Sequence, residues 1–305
     1  MELDYVRWLT EQLSAGGPIA LGIGDDAAVV NIEPGRQLVV TSDMITDQVH
    51  FDLGLHAAER IGRKALAVNL SDLAAMAAEP LAAVVSLNLP REHEPRQLAE
   101  QLTEGMIPLA EQLGCPVIGG DTNVTRGPLV ISVTAFGTVD AGTAWRRSGA
   151  KPGDRMLVTG KLGGSLQGHH LDFTPRVAEA LQLASQYDIH AAMDLSDGLS
   201  LDLARMTKAS HVGAVVELAK LPITEQAARA AVDSGKSPAM HALSDGEDFE
   251  LLLAVPPAVS AELLATQPLA CGLTDVGEFT ADTSLVQLNA DGTREALLAT
   301  GYEHR

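Results

Sequence analysis

Aspartate next to serine or threonine is the chemistry this chain repeats. Ser-Asp pairs occur at Ser42-Asp43, Ser71-Asp72, Ser196-Asp197 and Ser244-Asp245. Two further acidic motifs are glycine-rich: Gly22-Ile23-Gly24-Asp25-Asp26-Ala27 and Gly119-Gly120-Asp121-Thr122-Asn123. Any single pair has a plain reading, since Ser-Asp is a common turn and helix-cap combination. Together they form a set of hard oxygen donors, which suits Mg²⁺ or Ca²⁺ and not zinc or copper. Cys115 and Cys271 are the only cysteines and form no CxxC motif. Several Mg²⁺ ions among carboxylates generally serve phosphate substrates, because Mg²⁺ keeps coordination positions open for phosphate oxygens.

Each motif has competing readings. Gly22 to Ala27 fits a GxGxxA dinucleotide fingerprint on paper, but two aspartates occupy positions where they would repel a pyrophosphate. A divalent cation would turn that repulsion into attraction; a functionless turn is the other reading. Thr41-Ser42-Asp43 closes an apolar strand, where α/β sheets place ligands, and His50 follows as either a surface histidine or a ligand. Ser71 and Asp72 lie inside an alanine-rich helical pattern, where both are unfavourable unless paired or bound to something. Gly119 to Asn123 reads as a strand-ending turn or as a close backbone approach to a ligand. Met193-Asp194-Leu195-Ser196-Asp197-Gly198 precedes a helix and is not an EF-hand loop. Ser244 to Asp248 is an exposed acidic turn or part of a site. No Walker A, HExxH or protein-kinase motif set is present. Phosphate handling would therefore rest on metal bridges, with Arg146, Arg147 and Lys151 as the available cations, unless these are ordinary surface charge.

Alternating strands and helices must position these motifs. Apolar runs predict strands over 37–42, 82–89, 129–139, 155–159, 213–218 and 249–255. Helical patterns cover 56–78, 95–113 (with Pro108 inside), 175–184, 199–209 and 225–234. The mixture indicates an α/β or α+β protein. A chain of 305 residues suits two domains, and the Gly/Pro-containing stretch from Ser148 to Asp154 places their boundary at 149/150. The formal charge of −19 argues against nucleic acid and anionic membrane surfaces as partners, and 3% aromatic content argues against base-stacking platforms. No secretory leader or membrane span is expected, which implies a cytoplasmic protein.

The ordered series GIGDDAAVV, TSD with a downstream HF, KALAVNLSDLAAMAAEP, IGGDTN, RRSGAKPGD, VTGKLGGS, MDLSDGLSLDLARM, DGEDFELL and GYEH resembles thiamine-monophosphate kinases, over residues 22–304. That family belongs to the superfamily of aminoimidazole-ribonucleotide synthetase, selenophosphate synthetase and a hydrogenase maturation factor. The resemblance implies a two-domain aminoimidazole-ribonucleotide synthetase-like fold, with an N-terminal sheet forming a barrel in a homodimer and a C-terminal α/β domain. It implies transfer of the ATP γ-phosphoryl group to thiamine monophosphate with several Mg²⁺ ions. Carried over by motif, Asp26, Thr41, Ser42, Asp43, Asp72, Asp121, Asp194 and Asp197 correspond to metal-binding positions. Gly120, Asp121, Arg147 and Ser196 correspond to nucleotide-binding positions, and His50, Glu247 and Tyr302 to substrate contacts. Asp72, Asp121 and Arg147 carry the catalytic expectation.

The chain departs from the family pattern in three places. Asp245 replaces a glycine of GGED. A helical segment between TGxxGxS and HLRPxPR is nearly absent, so that Ser165 almost reaches His169-His170-Leu171 directly. The usual aromatic after the last histidine is missing from Glu303-His304-Arg305. A selenophosphate synthetase would need a reactive Cys or selenocysteine near the start, and none precedes Cys115. The hydrogenase factor should end in Cys, where this sequence has Arg305. Two alternatives remain: a nucleotide- or cation-binding protein on the same fold without catalysis, and another ATP-dependent member of the same superfamily with a different substrate.

Overall fold

The structure, a computed structural model, describes residues 8–9, 11–12, 17–21 and 28–302. The chain divides into two compact units, one of residues 1–73 and 78–144, the other of residues 74–77 and 145–305. The expected α/β character holds in both.

In the first unit, β1 (Ile19–Leu21) and β2 (Val29–Val30) form a small antiparallel ladder. The main sheet holds β3 (Arg36–Thr46), β4 (Glu79–Pro90), β5 (Val117–Thr125) and β6 (Val130–Asp140) in the order β3-β6-β4-β5. The unit also holds helix α1 (Ala58–Ala75), apart from its last two residues, and helix α2 (Pro95–Leu113). Strands β4 and β5 pair in parallel, so α2 supplies the crossover that such a pair requires. Ile61, Ala65, Leu66, Leu70 and Leu73 recur at helical spacing and are buried, which fixes the inward face of α1. Helix α2 runs through Pro108 and ends at Gly114, whose left-handed backbone (φ 64°) directs its N–H to the last carbonyls.

The second unit has a seven-stranded sheet. Its strands are β7 (Arg155–Thr159), β8 (Ala191–Asp194), β9 (Gly213–Glu217), β10 (Leu251–Val255), β11 (Leu273–Thr280), β12 (Leu285–Leu288) and β13 (Arg294–Ala296), ordered β13-β12-β9-β11-β7-β10-β8. Its helices are α3 (His169–Asp172), α4 (Val177–Gln186), α5 (Leu199–Ser210), α6 (Glu225–Ser234), α7 (Pro238–Ser244) and α8 (Pro257–Thr266). Leu199, Leu203 and Met206 of α5 pack with Met156, Val158, Met193, Leu252 and Ala254 of the strands. Among the described residues, no helix is long and apolar enough to cross a membrane.

Three expectations change. Strand β3 does not stop at Ser42: its ladder with β6 continues to Thr46, so Asp43 lies inside a strand. Strand β5 runs through Gly119 to Asn123 rather than turning there, because parallel pairing with β4 carries the backbone onward. Phe249 precedes β10 instead of opening it; its backbone is left-handed (φ 51°) and its ring stacks on Phe173 at 4.1 Å.

Candidate functional site

Alternation along β3 divides the acidic motif of the first unit between two faces of the sheet. Thr41 and Asp43 point toward α1. The Thr41 hydroxyl donates to Asp72 Oδ2, and the Asp43 N–H donates to Asn69 Oδ1 at 3.0 Å. Asn69 is itself anchored by its amide to the Ala65 carbonyl at 3.0 Å. Thr41, Asp43, Asn69 and Asp72 thus form one oxygen-rich group where β3 meets α1. This accounts for polar residues in the middle of an alanine-rich helix: they are partnered across the strand. Asn69 carries no site expectation from the sequence, although it stands in the same motif as Asp72.

Ser42 points the other way, its hydroxyl 2.9 Å from Thr134 Oγ1. Asp121 shares that second face. It lies opposite Ser86 on β4, which lies opposite Ser132 and then Met44. Strands β3 and β5 are the two edges of the sheet, so three strand spacings, about 14 Å, separate their backbones. Within one chain, Asp121 and Ser42 therefore do not join the Asp43–Asp72 group. Asp121 is oriented locally, accepting from Thr122 N at 2.9 Å and from the Asn123 amide at 3.2 Å. The glycine before it is required by close packing: a Cβ on Gly120 would lie 1.8 Å from the Val85 carbonyl oxygen.

His50 follows β3 in a tight turn. Its Nδ1 accepts from Thr46 N at 3.1 Å, and its carbonyl accepts from the fully buried Lys64 ammonium at 2.7 Å. Asp25 and Asp26 lie outside the described residues, as does His304.

In the second unit, Asp194 ends β8, is buried, and is followed by a loop that opens α5. Asp202, fully buried in the first turn of α5, organises that loop. One carboxylate oxygen accepts from Asp197 N (3.0 Å) and Gly198 N (3.2 Å), and the other accepts from Arg205 at 2.7 Å. Arg205 also donates to Asp197 Oδ2. Burial, reinforced by the nearby Asp197 charge and opposed by the hydrogen bonds and Arg205, pushes the Asp202 carboxyl up to about 6. Asp202 and Arg205 were not singled out in the sequence; an acid in the first turn of a helix is the signal that could have marked Asp202.

Two expected substrate residues are tied to this same loop. Glu247 N donates to the Ser196 carbonyl at 2.7 Å, and Tyr302 N donates to the Asp197 carbonyl at 3.0 Å. The Glu247 carboxylate lies 3.3 Å from Nδ1 of the buried His170.

The shortened segment after Ser165 closes against the acidic turn. Gly163 N donates to Asp248 at 2.8 Å, Gly164 N to Asp245 at 3.0 Å, and the Ser165 hydroxyl to the Gly246 carbonyl at 2.5 Å. The chain's own acidic side chains therefore occupy these two glycine-loop amides. The departure Asp245 has an internal role, since His241 Nδ1 also binds it at 2.8 Å. Arg176 holds Glu250 at 2.7 and 2.5 Å, fixing the end of the segment beside β10.

Arg147 is exposed, and among the described residues its guanidinium makes no ion pair. Its backbone is held in place: Ser210 Oγ donates to the Arg147 carbonyl at 3.1 Å and accepts from Gly149 N and Ala150 N at 3.1 and 3.2 Å.

Among the described residues, no three His, Cys, Asp or Glu side chains converge as a ready-made cation cage. The donors stand singly or in pairs and are all oxygens. That arrangement fits Mg²⁺ held jointly by one or two carboxylates and substrate phosphates, and not a metal enclosed by protein alone.

The family described as AIR synthase related protein, N-terminal domain, matches residues 24–139, and its C-terminal domain counterpart matches residues 153–287. A thiamine-monophosphate kinase of Rhodopirellula baltica is 42% identical over 309 residues, covering 99% of this chain and 96% of that protein. The crystal structure of thiamine-monophosphate kinase from Stenotrophomonas maltophilia K279a superposes with a TM-score of 0.79 at 34% identity, covering 95% of each chain. AaThiL, solved as a complex with AMPPCP and TMP, gives a TM-score of 0.78 at 26% identity, covering 100% of this chain and 96% of that one. With relatedness of this degree over nearly its whole length, the chain belongs to the thiamine-monophosphate kinase family.

Proposed function

We propose that this chain transfers the γ-phosphoryl group of ATP to the phosphate of thiamine monophosphate, releasing ADP and thiamine diphosphate. The observation that carries this reading is the loop of residues 194–198. Its Asp194, Ser196 and Asp197 match metal and nucleotide positions, while its carbonyls hold the backbones of Glu247 and Tyr302, which match substrate positions. The relative solved with AMPPCP and TMP supports the same pair of ligands.

The acceptor is a phosphate oxygen already ionised near neutral pH, so no strong general base is needed. The obstacle is the approach of one anion to another. Mg²⁺, where bound, would supply the positive charge that neutralises the two phosphates. Asp26, Thr41, Ser42, Asp43, Asp72, Asp121, Asp194 and Asp197 are assigned to hold it by their motifs; of these, Thr41 and Asp72 are joined directly by a hydrogen bond. Arg147, on its pinned loop, adds positive charge at the transferring group. Gly120 and Ser196 contact the nucleotide through a backbone approach and a hydroxyl. Glu247 faces the cationic thiazolium, and Tyr302 and His50 complete the substrate contacts.

The active form we propose is a cytoplasmic homodimer. Leu38, Val40 and Met44 form a row on the outward face of β3 with 44%, 55% and 60% exposure, an apolar strip suited to a second sheet. The reading is tested by following ADP release from Mg²⁺-ATP with and without thiamine monophosphate. Release that depends on thiamine monophosphate supports it; tight ATP binding with no dependent release supports a nucleotide-binding protein instead.

A further inference from the structure

We propose that Ser200 is a positioning residue that latches the C-terminal strap, residues 297–302, onto the first turn of α5 and so sets Tyr302 for thiamine monophosphate. The proposal rests on the reading of Tyr302 as a substrate contact.

The strap is fastened at three successive points. Leu297 is buried in the core of the second unit, and its N–H donates to the Leu285 carbonyl at 2.9 Å. Three residues on, the Ser200 hydroxyl donates to the Thr300 carbonyl at 2.6 Å and accepts from Thr300 N at 3.1 Å. Finally Tyr302 N donates to the Asp197 carbonyl at 3.0 Å.

Ser200 is fully buried, and one hydroxyl satisfies both backbone groups of Thr300. An alanine there removes the one side chain that holds both backbone groups of Thr300, an exposed residue whose N–H and carbonyl can turn to water instead, which favours release of the strap. The approach is also close enough to exclude a side chain. A Cβ on Gly301 would lie 2.2 Å from the Asp197 carbonyl oxygen and 2.9 Å from Leu201 Cβ. The strap is thus built to lie flat on the loop that the proposed function assigns to metal and nucleotide. Tyr302 as a residue remains 41% exposed although its backbone is anchored.

The test compares Ser200→Ala, Gly301→Ala and their combination with the unmodified full chain. Steady-state KM for thiamine monophosphate and for ATP, kcat and thermal midpoint are measured for each. The latch predicts that each single variant raises KM for thiamine monophosphate by ~5- to 20-fold. KM for ATP and kcat stay within about twofold. The double variant is no worse than the stronger single, because both free the same strap. Unchanged KM for thiamine monophosphate in both single variants overturns the latch. So does a parallel rise in both KM values with a lowered midpoint, which marks general loosening of α5. An unmodified chain that neither turns over nor binds thiamine monophosphate overturns the functional reading and the latch with it.

Discussion

Asp202 offers the sharpest test of how the second unit shapes its loop. Its carboxylate is fully buried, accepts two backbone N–H groups from Asp197 and Gly198, and pairs with Arg205. Asp202→Ala leaves those two amides without acceptors and turns Arg205 onto Asp197 alone. Arg205 stays solvent-reachable and paired with Asp197, so the cost comes from the two stranded amides and is about 2–4 kcal/mol. For a unit of this size that corresponds to a fall of roughly 10 °C in Tm. Asp202→Asn keeps one acceptor oxygen and the shape while losing the charge, so its cost is about 1–2 kcal/mol. Thermal unfolding followed by circular dichroism measures both. The reasoning is refuted if Asp202→Ala melts within about 2 °C of the unmodified chain, or if Asp202→Asn is the more damaging of the two.

Other consequences follow from the same geometry. Asp248 is buried, and that burial, with the nearby Glu250, Asp245 and Asp202 charges, holds its carboxyl well above 3.8, against the opposing hydrogen bond from Gly163. The folded state thus binds this proton more tightly than the unfolded state, and stability falls as pH rises from 3.8 through the raised value. Asp248→Asn, which keeps an acceptor for Gly163, should flatten that part of a Tm-against-pH profile; an unaltered slope contradicts the assignment. Val40→Lys places a charge in the outward row of β3 and should shift a dimer toward monomer in sedimentation velocity, whereas an unchanged oligomeric state would exclude that face as the contact. Because the acceptor phosphate attacks directly, acid-quenched single turnover should trap no aspartyl-phosphate; a labelled, acid-stable acyl phosphate on the chain would overturn direct transfer.

Much of the framework could be read from residue patterns, because its long elements carry strong periodicity. Helices 95–113 and 225–234 and strand 155–159 lie where the sequence places them. Short, fully buried strands such as Ala191–Asp194 gave no alternation to read, since both of their faces are apolar. Pairing partners also extend strands past the point where composition turns polar, which is why Asp43 and Asp121 fall inside β3 and β5. Register mattered most for the site. That Ser42 and Asp121 share the face opposite Asp43 follows from cross-strand register, and their separation from strand order; no local motif reports either. The supporting residues Asn69, Ser200, Asp202 and Arg205 carry ordinary residue types at ordinary helical positions. Their roles come from partners distant in the chain, such as Thr300 for Ser200.

The central claim is phosphoryl transfer to thiamine monophosphate by an oxygen-ligated site that includes Asp72. Its most direct test uses ATP labelled in the γ-phosphate, with Mg²⁺ and thiamine monophosphate, and separates the thiamine phosphates by chromatography. The account predicts label in thiamine diphosphate with the unmodified chain. It predicts none above background with Asp72→Asn, whose amide can still accept from Thr41 and whose folding, checked by circular dichroism, should be intact. Absence of labelled thiamine diphosphate from the unmodified chain, or undiminished labelling by Asp72→Asn, would contradict it.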